Sequence, residues 1–279
     1  MEENQRDKLN KKLTFWQEVL KMIQLLSLYF FLYYSFSLIV AVFGLQGNTM
    51  RYVGILAYLV CGSVVFFLLP KDHRKLIPRV SGKKADTAGE TSGEKTDALS
   101  SLLLALSVIM IALGIAYFLN RIFAVIPWEN VMPESAMYSS EDAFKIPLWV
   151  SLIGYGFLAP FAEEVAFRGI LFKYLSKWMP AVPAILISAA LFGLYHGNIM
   201  QGLYAFFMGM MMALMMYLTD SLGASVLFHM SANMLVTLYA NIPEFYGFLM
   251  NVPGLILMSV SLVAGIVLLI VVKKRGKNP

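Results

Sequence analysis

Residues 25–45 read LLSLYFFLYYSFSLIVAVFGL, a run without Asp, Glu, Lys or Arg. A helix needs about 20 apolar residues to cross the hydrocarbon core of a bilayer. Backbone groups in lipid must be satisfied internally, which leaves helices or closed barrels. The run is continuous rather than alternating, so it reads as a helix.

Working outward, similar runs recur along the chain. Eight spans are expected at roughly 20–44, 51–70, 99–119, 147–172 (continuing to Lys177), 182–197, 200–219, 222–240 and 253–272. The chain is 59% hydrophobic and 14% charged, against about 45–50% and 25% in soluble domains. The expected fold is all-α, a polytopic transmembrane helical bundle of about eight spans. Four regions are expected: a two-span front with a polar loop (1–98), a third span and loop (99–146), a core (147–240), and a last span with a basic tail (241–279).

Residues 71–98, KDHRKLIPRVSGKKADTAGETSGEKTDA, hold too little apolar surface to bury a core and read as a flexible loop. His73 within it is expected to be solvated. The opening MEENQRDKLNKK is polar, with no pattern of a cleavable signal peptide, so the first span is expected to be retained. Neither end carries a lipidation motif. Cys61 is the single cysteine and reads as a small packing residue.

Lysine and arginine placement sets orientation. With eight spans, Arg6, Lys8, Lys11 and Lys12 share a side with Lys71, Arg74, Lys75, Arg79, Lys83, Lys84 and Lys95. Lys173, Lys177, Lys273, Lys274, Arg275 and Lys277 fall there too. The other side holds Arg51, Arg121 and Lys145, with Glu129, Glu134, Glu141 and Asp142. Both termini are therefore expected in the cytoplasm. The net charge of +5 reads as orientation, and no nucleic-acid partner is expected.

The fourth span reads LAPFAEEVAFRGILF over 158–172. A charge at the bilayer centre costs about 2.5–3.5 kcal/mol on insertion scales, so these residues must face protein or a wet cavity. Glu164 and Arg168 are four apart and can pair. Glu163 points about 100° away, which leaves it free for chemistry. Span five ends LFGLYHGN, with His196 four residues after Phe192, and Gly193 and Gly197 are expected to admit a neighbouring helix. Span seven reads VLFHMSANML, with His229 and Asn233 on one face. Helical rise places Glu163 and His196 at about 20 Å depth and His229 and Asn233 at about 12–18 Å. A carboxylate with a neutral imidazole suits water activation. A second imidazole with an amide suits an oxyanion. GxSxG, HExxH and Cys–His arrangements are absent from the sequence.

Three ordered motifs, Glu163-Glu164-Val165-Ala166-Phe167-Arg168, Phe192 to His196, and His229 to Asn233, resemble the CAAX prenyl protease and bacteriocin-processing family, also called CPBP or Abi. The resemblance covers roughly 147–240. It implies a glutamate-dependent intramembrane endopeptidase in which Glu163 and His196 activate water. His229 and Asn233 then stabilise the oxyanion, and Glu164 and Arg168 support. It implies no cofactor and a peptide or lipidated-peptide substrate within the lipid bilayer. Members of the family cleave prenylated C-terminal tripeptides, process peptides, confer bacteriocin immunity or act as scaffolds. A bacterial plasma membrane is the expected location.

Other readings remain open. Glu163, His196 and His229 are conceivable zinc ligands, although zincin spacing is missing. A non-catalytic scaffold or immunity protein would keep the motifs for packing. A transporter would use the carboxylates as ion sites, without the paired broken helices such folds show. The run MGMMMALMMYL over 208–218 reads as packing rather than a copper site.

Overall fold

The computed structural model describes residues 2–78, 98–128 and 146–275. Of the flexible loop expected at 71–98, residues 79–97 lie outside them, as do the charges at Arg79, Lys83, Lys84, Lys95, Glu129, Glu134, Glu141, Asp142, Lys145 and Lys277.

Among the described residues the structure is helices, turns and short connections. The helices are α1 (Glu2–Val42), α2 (Gly47–Leu68) and α3 (Ala98–Val125). Next come α4 (Leu148–Trp178), α5 (Ala181–Tyr195), α6 (Ile199–Thr219) and α7 (Leu222–Asn241), then α8 (Pro243–Met250) and α9 (Val252–Arg275). Among the described residues, seven helices are long and apolar enough to cross a bilayer. The eighth expected span is α5, a shorter apolar helix of 15 residues. Large side chains such as Phe31, Phe67 and Val125 stay 69%, 71% and 79% exposed on the outside. That is the surface an integral membrane protein offers to lipid. The short α8 is an addition to the expected spans. Its carbonyls at Leu249 and Met250 accept from the Tyr117 hydroxyl at 2.9 Å and Arg121 Nη1 at 3.1 Å.

Helix α4 is the most buried span. It packs against α1, α2, α5 and α7, with α3 bridging α7 and α9 on the far side. Its pitch is not uniform. Residues Leu152–Leu158 and Val165–Phe172 are π-helical, and the α-helical turn Ala159–Glu164 lies between them. Pro160 explains the first widening, because it lacks an N–H and its ring crowds the carbonyl four residues back. Wide turns of this kind recur at functional sites. Helix α2 reaches the middle turn because position 62 is glycine. A Cβ there would lie 2.9 Å from Ala162 Cα, beside Glu163.

The expectation for the two glycines near His196 divides. A Cβ on Gly193 would lie 2.6 Å from the Gly202 carbonyl oxygen, so α5 and α6 do depend on it for contact. Gly197 has open space around it and a φ of +74°. It is a turn residue, chosen for a left-handed backbone rather than for helix packing.

The basic groups near several helix ends gather at one end of the bundle. Lys177 pairs with Glu18 at 2.8 Å, and Lys273 donates to the Leu218 carbonyl at 3.0 Å. Asp220, between α6 and α7, accepts from Lys75 and Lys173 at 2.5 Å each. Burial alone would raise the Asp220 carboxyl, but the two lysine bonds outweigh it and hold it below the usual range. Ser221 then caps α7, accepting from the Ala224 N–H at 3.3 Å.

His73 corrects the solvated reading. It is fully buried, and its Nδ1 donates to the Gly169 carbonyl at 2.9 Å. Its ring meets Tyr174 edge-on at 4.9 Å. The local sequence is polar, but the loop folds back over the end of α4. Burial pushes this imidazole down to about 4, and Asp72 at 3.6 Å opposes the shift without reversing it. The unfolded chain therefore binds the extra proton first, between its ordinary value of about 6.5 and 4. Stability is expected to fall through that window on acidification, by at most about 3 kcal/mol. Thermal unfolding in detergent from pH 7 to pH 4 measures this. A His73→Asn variant should show a flatter pH dependence, and parallel curves would exclude His73 as the cause.

Candidate active site

The middle turn of α4 presents Glu163 and Glu164, both buried. Arg168 follows one wide turn later and is also fully buried. The expected pair forms, with Arg168 Nη1 donating to Glu164 Oε1 at 2.9 Å. The second Arg168 nitrogen donates to the Gly209 carbonyl at 3.0 Å, and the guanidinium stacks 4.5 Å over the Phe192 ring. A buried ion pair is tolerable when most of its remaining donors and acceptors are satisfied; α6 and α5 supply the Gly209 carbonyl and the Phe192 ring, while Arg168 Nε has no hydrogen-bond partner among the described residues.

Glu164 is saturated. Besides Arg168 it accepts from His229 Nδ1 at 3.0 Å and from the Ser225 hydroxyl at 2.5 Å. Glu163 is served differently. Its Oε2 lies 3.8 Å from His229 Nε2, inside ion-pair range and beyond a hydrogen bond. The two adjacent carboxylates therefore have distinct surroundings, one locked and one with spare acceptor capacity.

His229 thus lies between both glutamates, a placement the spacing with Asn233 did not suggest. An ionised carboxylate only accepts, so Nδ1 carries hydrogen. Asn233 Nδ2 donates to the Tyr155 carbonyl at 3.0 Å, in the first wide turn of α4. One amide hydrogen is used by that bond, and a second remains on the same nitrogen.

His196 sits just past the end of α5, half-buried. Its Nδ1 is 2.9 Å from the Phe192 carbonyl. A carbonyl cannot donate, so this nitrogen holds the hydrogen, and Nε2 of the neutral ring keeps its lone pair. Phe192 joins the cluster together. Its ring meets His196 edge-on at 4.8 Å, His229 edge-on at 5.7 Å and the Arg168 guanidinium face-on.

The structure therefore brings Glu163, Glu164, Arg168 and His229 into one network. His196 joins through Phe192, and Asn233 is held against α4. Ser225 and the Gly209 carbonyl are partners that sequence reasoning did not single out, and Phe192 entered it only as the start of the second motif. Ser225 had a signal, since it lies four residues before His229 on the same face of α7. Among the described residues, no three His, Cys, Asp or Glu side chains are grouped to hold a metal ion. An apolar groove of about 400 Å³, lined by residues such as Ile77, Leu102 and Val226, contains none of these groups.

Residues 145–235 match a family model described as Type II CAAX prenyl endopeptidase Rce1-like. The matched stretch contains all three motifs and is consistent with the CAAX protease resemblance. That family is one of proteases. No curated protein and no solved structure matches the chain.

Proposed function

We propose that the protein is an intramembrane, metal-independent endopeptidase whose water is activated by Glu163 and His196. The observation that carries this reading is the asymmetry of the two carboxylates. Glu164 accepts from Arg168, His229 and Ser225, while among the described residues the one ion-pair contact of Glu163 is the more distant His229 Nε2 at 3.8 Å. A general base needs an open acceptor within reach of the proton it removes.

In this mechanism Glu163 takes a proton from water while the His196 Nε2 lone pair orients it. The oxygen attacks the carbonyl carbon of a peptide bond. The resulting oxyanion receives the remaining Asn233 amide hydrogen and a His229 Nε2 hydrogen. His229 must then be doubly protonated, since Nδ1–H is committed to Glu164. Collapse breaks the C–N bond, and Glu163 returns its proton to the leaving nitrogen. Glu164 and Arg168 fix His229 and the helix around it.

The substrate class is a prenylated tail or a leader- or bacteriocin-type peptide. We place the protein in a bacterial plasma membrane with both termini cytoplasmic. The experiment is cleavage of such peptides by the purified protein in lipid, with EDTA present and products read by mass spectrometry. Internal cleavage that persists in EDTA is expected. No cleavage across the panel would favour the scaffold or immunity role, in which the buried network only locks helices.

A further inference from the structure

Three tyrosines outside the three motifs, and Tyr195 within the second, collect near the turn that carries Glu163. Tyr29 and Tyr33 come from α1, Tyr58 from α2 and Tyr195 from α5. The Tyr33 ring centroid lies 5.5 Å from that of Tyr58 and 6.3 Å from that of Tyr195. Tyr195 also touches Phe167 at 5.4 Å and the His196 ring at 5.6 Å. Tyr58 lies one turn before Gly62, whose close neighbour is Ala162 beside Glu163. Helices α1 and α2 lie outside the stretch matched to the protease family.

Two of these phenols are costly as packing. Tyr29 is fully buried, and the hydroxyls of Tyr29 and Tyr195 are close to one another. Neither makes a well-formed hydrogen bond to any partner among the described residues. Buried hydroxyls are nearly always satisfied, and an exception calls for an explanation. Phenylalanine would fill the same space without the penalty.

We propose that Tyr29 and Tyr195, walled by Tyr33 and Tyr58, form a substrate subsite that binds a backbone carbonyl of the peptide next to the bond being cut. This rests on the peptidase reading above. Charge selects the ligand. A free carboxylate would be repelled by Glu163, and an N–H donor would be drawn to Glu163 itself. A neutral acceptor is what two phenol O–H groups beside a carboxylate base can hold. On this account α1 and α2 complete the active site.

The test uses the full chain in lipid, with Tyr29→Phe, Tyr195→Phe and the double variant. Tyr34→Phe, on the exposed side of α1, is the control. The double variant is expected to lose about tenfold or more in kcat/KM, since each hydrogen bond is worth up to about tenfold. Its thermal midpoint should stay the same or rise, because an unsatisfied hydroxyl has been removed. Wild-type kcat/KM in the double variant would overturn the subsite. So would a loss of activity matched by a loss of thermal stability.

Binding separates this proposal from its parent. A labelled prenylated peptide is titrated onto Glu163→Gln protein, with and without the two Phe substitutions. A weakening of about tenfold supports the subsite whatever the turnover, and equal affinity overturns it. Failure of the unsubstituted chain to cleave overturns the peptidase reading instead.

Discussion

Glu163→Gln is expected to lower kcat/KM by about 10²–10⁴-fold, the range contributed by a positioned general base. The substitution keeps size and shape and removes only the ability to take a proton. It should leave the helix bundle intact, because Glu163 takes no part in the Arg168 bonds. His196→Ala should cost a similar factor. Among the described residues its ring hydrogen-bonds its own helix alone, through the Phe192 carbonyl, so the fold should survive. If the two residues act on one water, the double variant should be little worse than either single one, since groups acting as a unit are not additive. Steady-state cleavage of a prenylated peptide measures all three. Additive losses would mean that the residues serve separate steps.

Arg168→Met is expected to be the most destabilising single change. Arg168 is fully buried and joins Glu164, the Gly209 carbonyl and the Phe192 ring. Removing one partner of a buried pair strands the other charge, at about 3–5 kcal/mol. Arg168→Lys should rescue only partly, because an ammonium cannot reproduce the planar fork or its stacking. Glu164→Gln combined with Arg168→Met should recover part of the loss, since neither member of the Arg168–Glu164 pair is then left charged without the other. Thermal unfolding in detergent, with the yield of monodisperse protein, measures the series. A double variant less stable than Arg168→Met alone would show that the pair is not the source of the effect.

The spans were legible because lipid forbids charges and open backbone, and that constraint writes itself into runs such as 25–45. The Glu164–Arg168 pair was legible for a similar reason, since a four-residue spacing still brings the two together where α4 widens. The widening itself had local signals in Gly154, Gly156 and Pro160, but periodicity arguments assume a uniform pitch. The burial of His73 had no local signal. It follows from a loop folding onto Gly169, 96 residues away. The placement of His229 between both glutamates depends on how α7 is rotated about its axis, and packing with α4 sets that rotation. The Tyr155 carbonyl that holds Asn233 is likewise 78 residues distant. Sequence spacing shows which side chains share a face. It does not show which neighbour that face meets.

The most direct test of the account compares wild type and Glu163→Gln in the same lipid preparation with EDTA. Product formation from one prenylated peptide is read by mass spectrometry, beside the thermal midpoint of each protein. The account predicts cleavage by wild type, almost none by Glu163→Gln, and matching midpoints. Equal cleavage by the two proteins would contradict it.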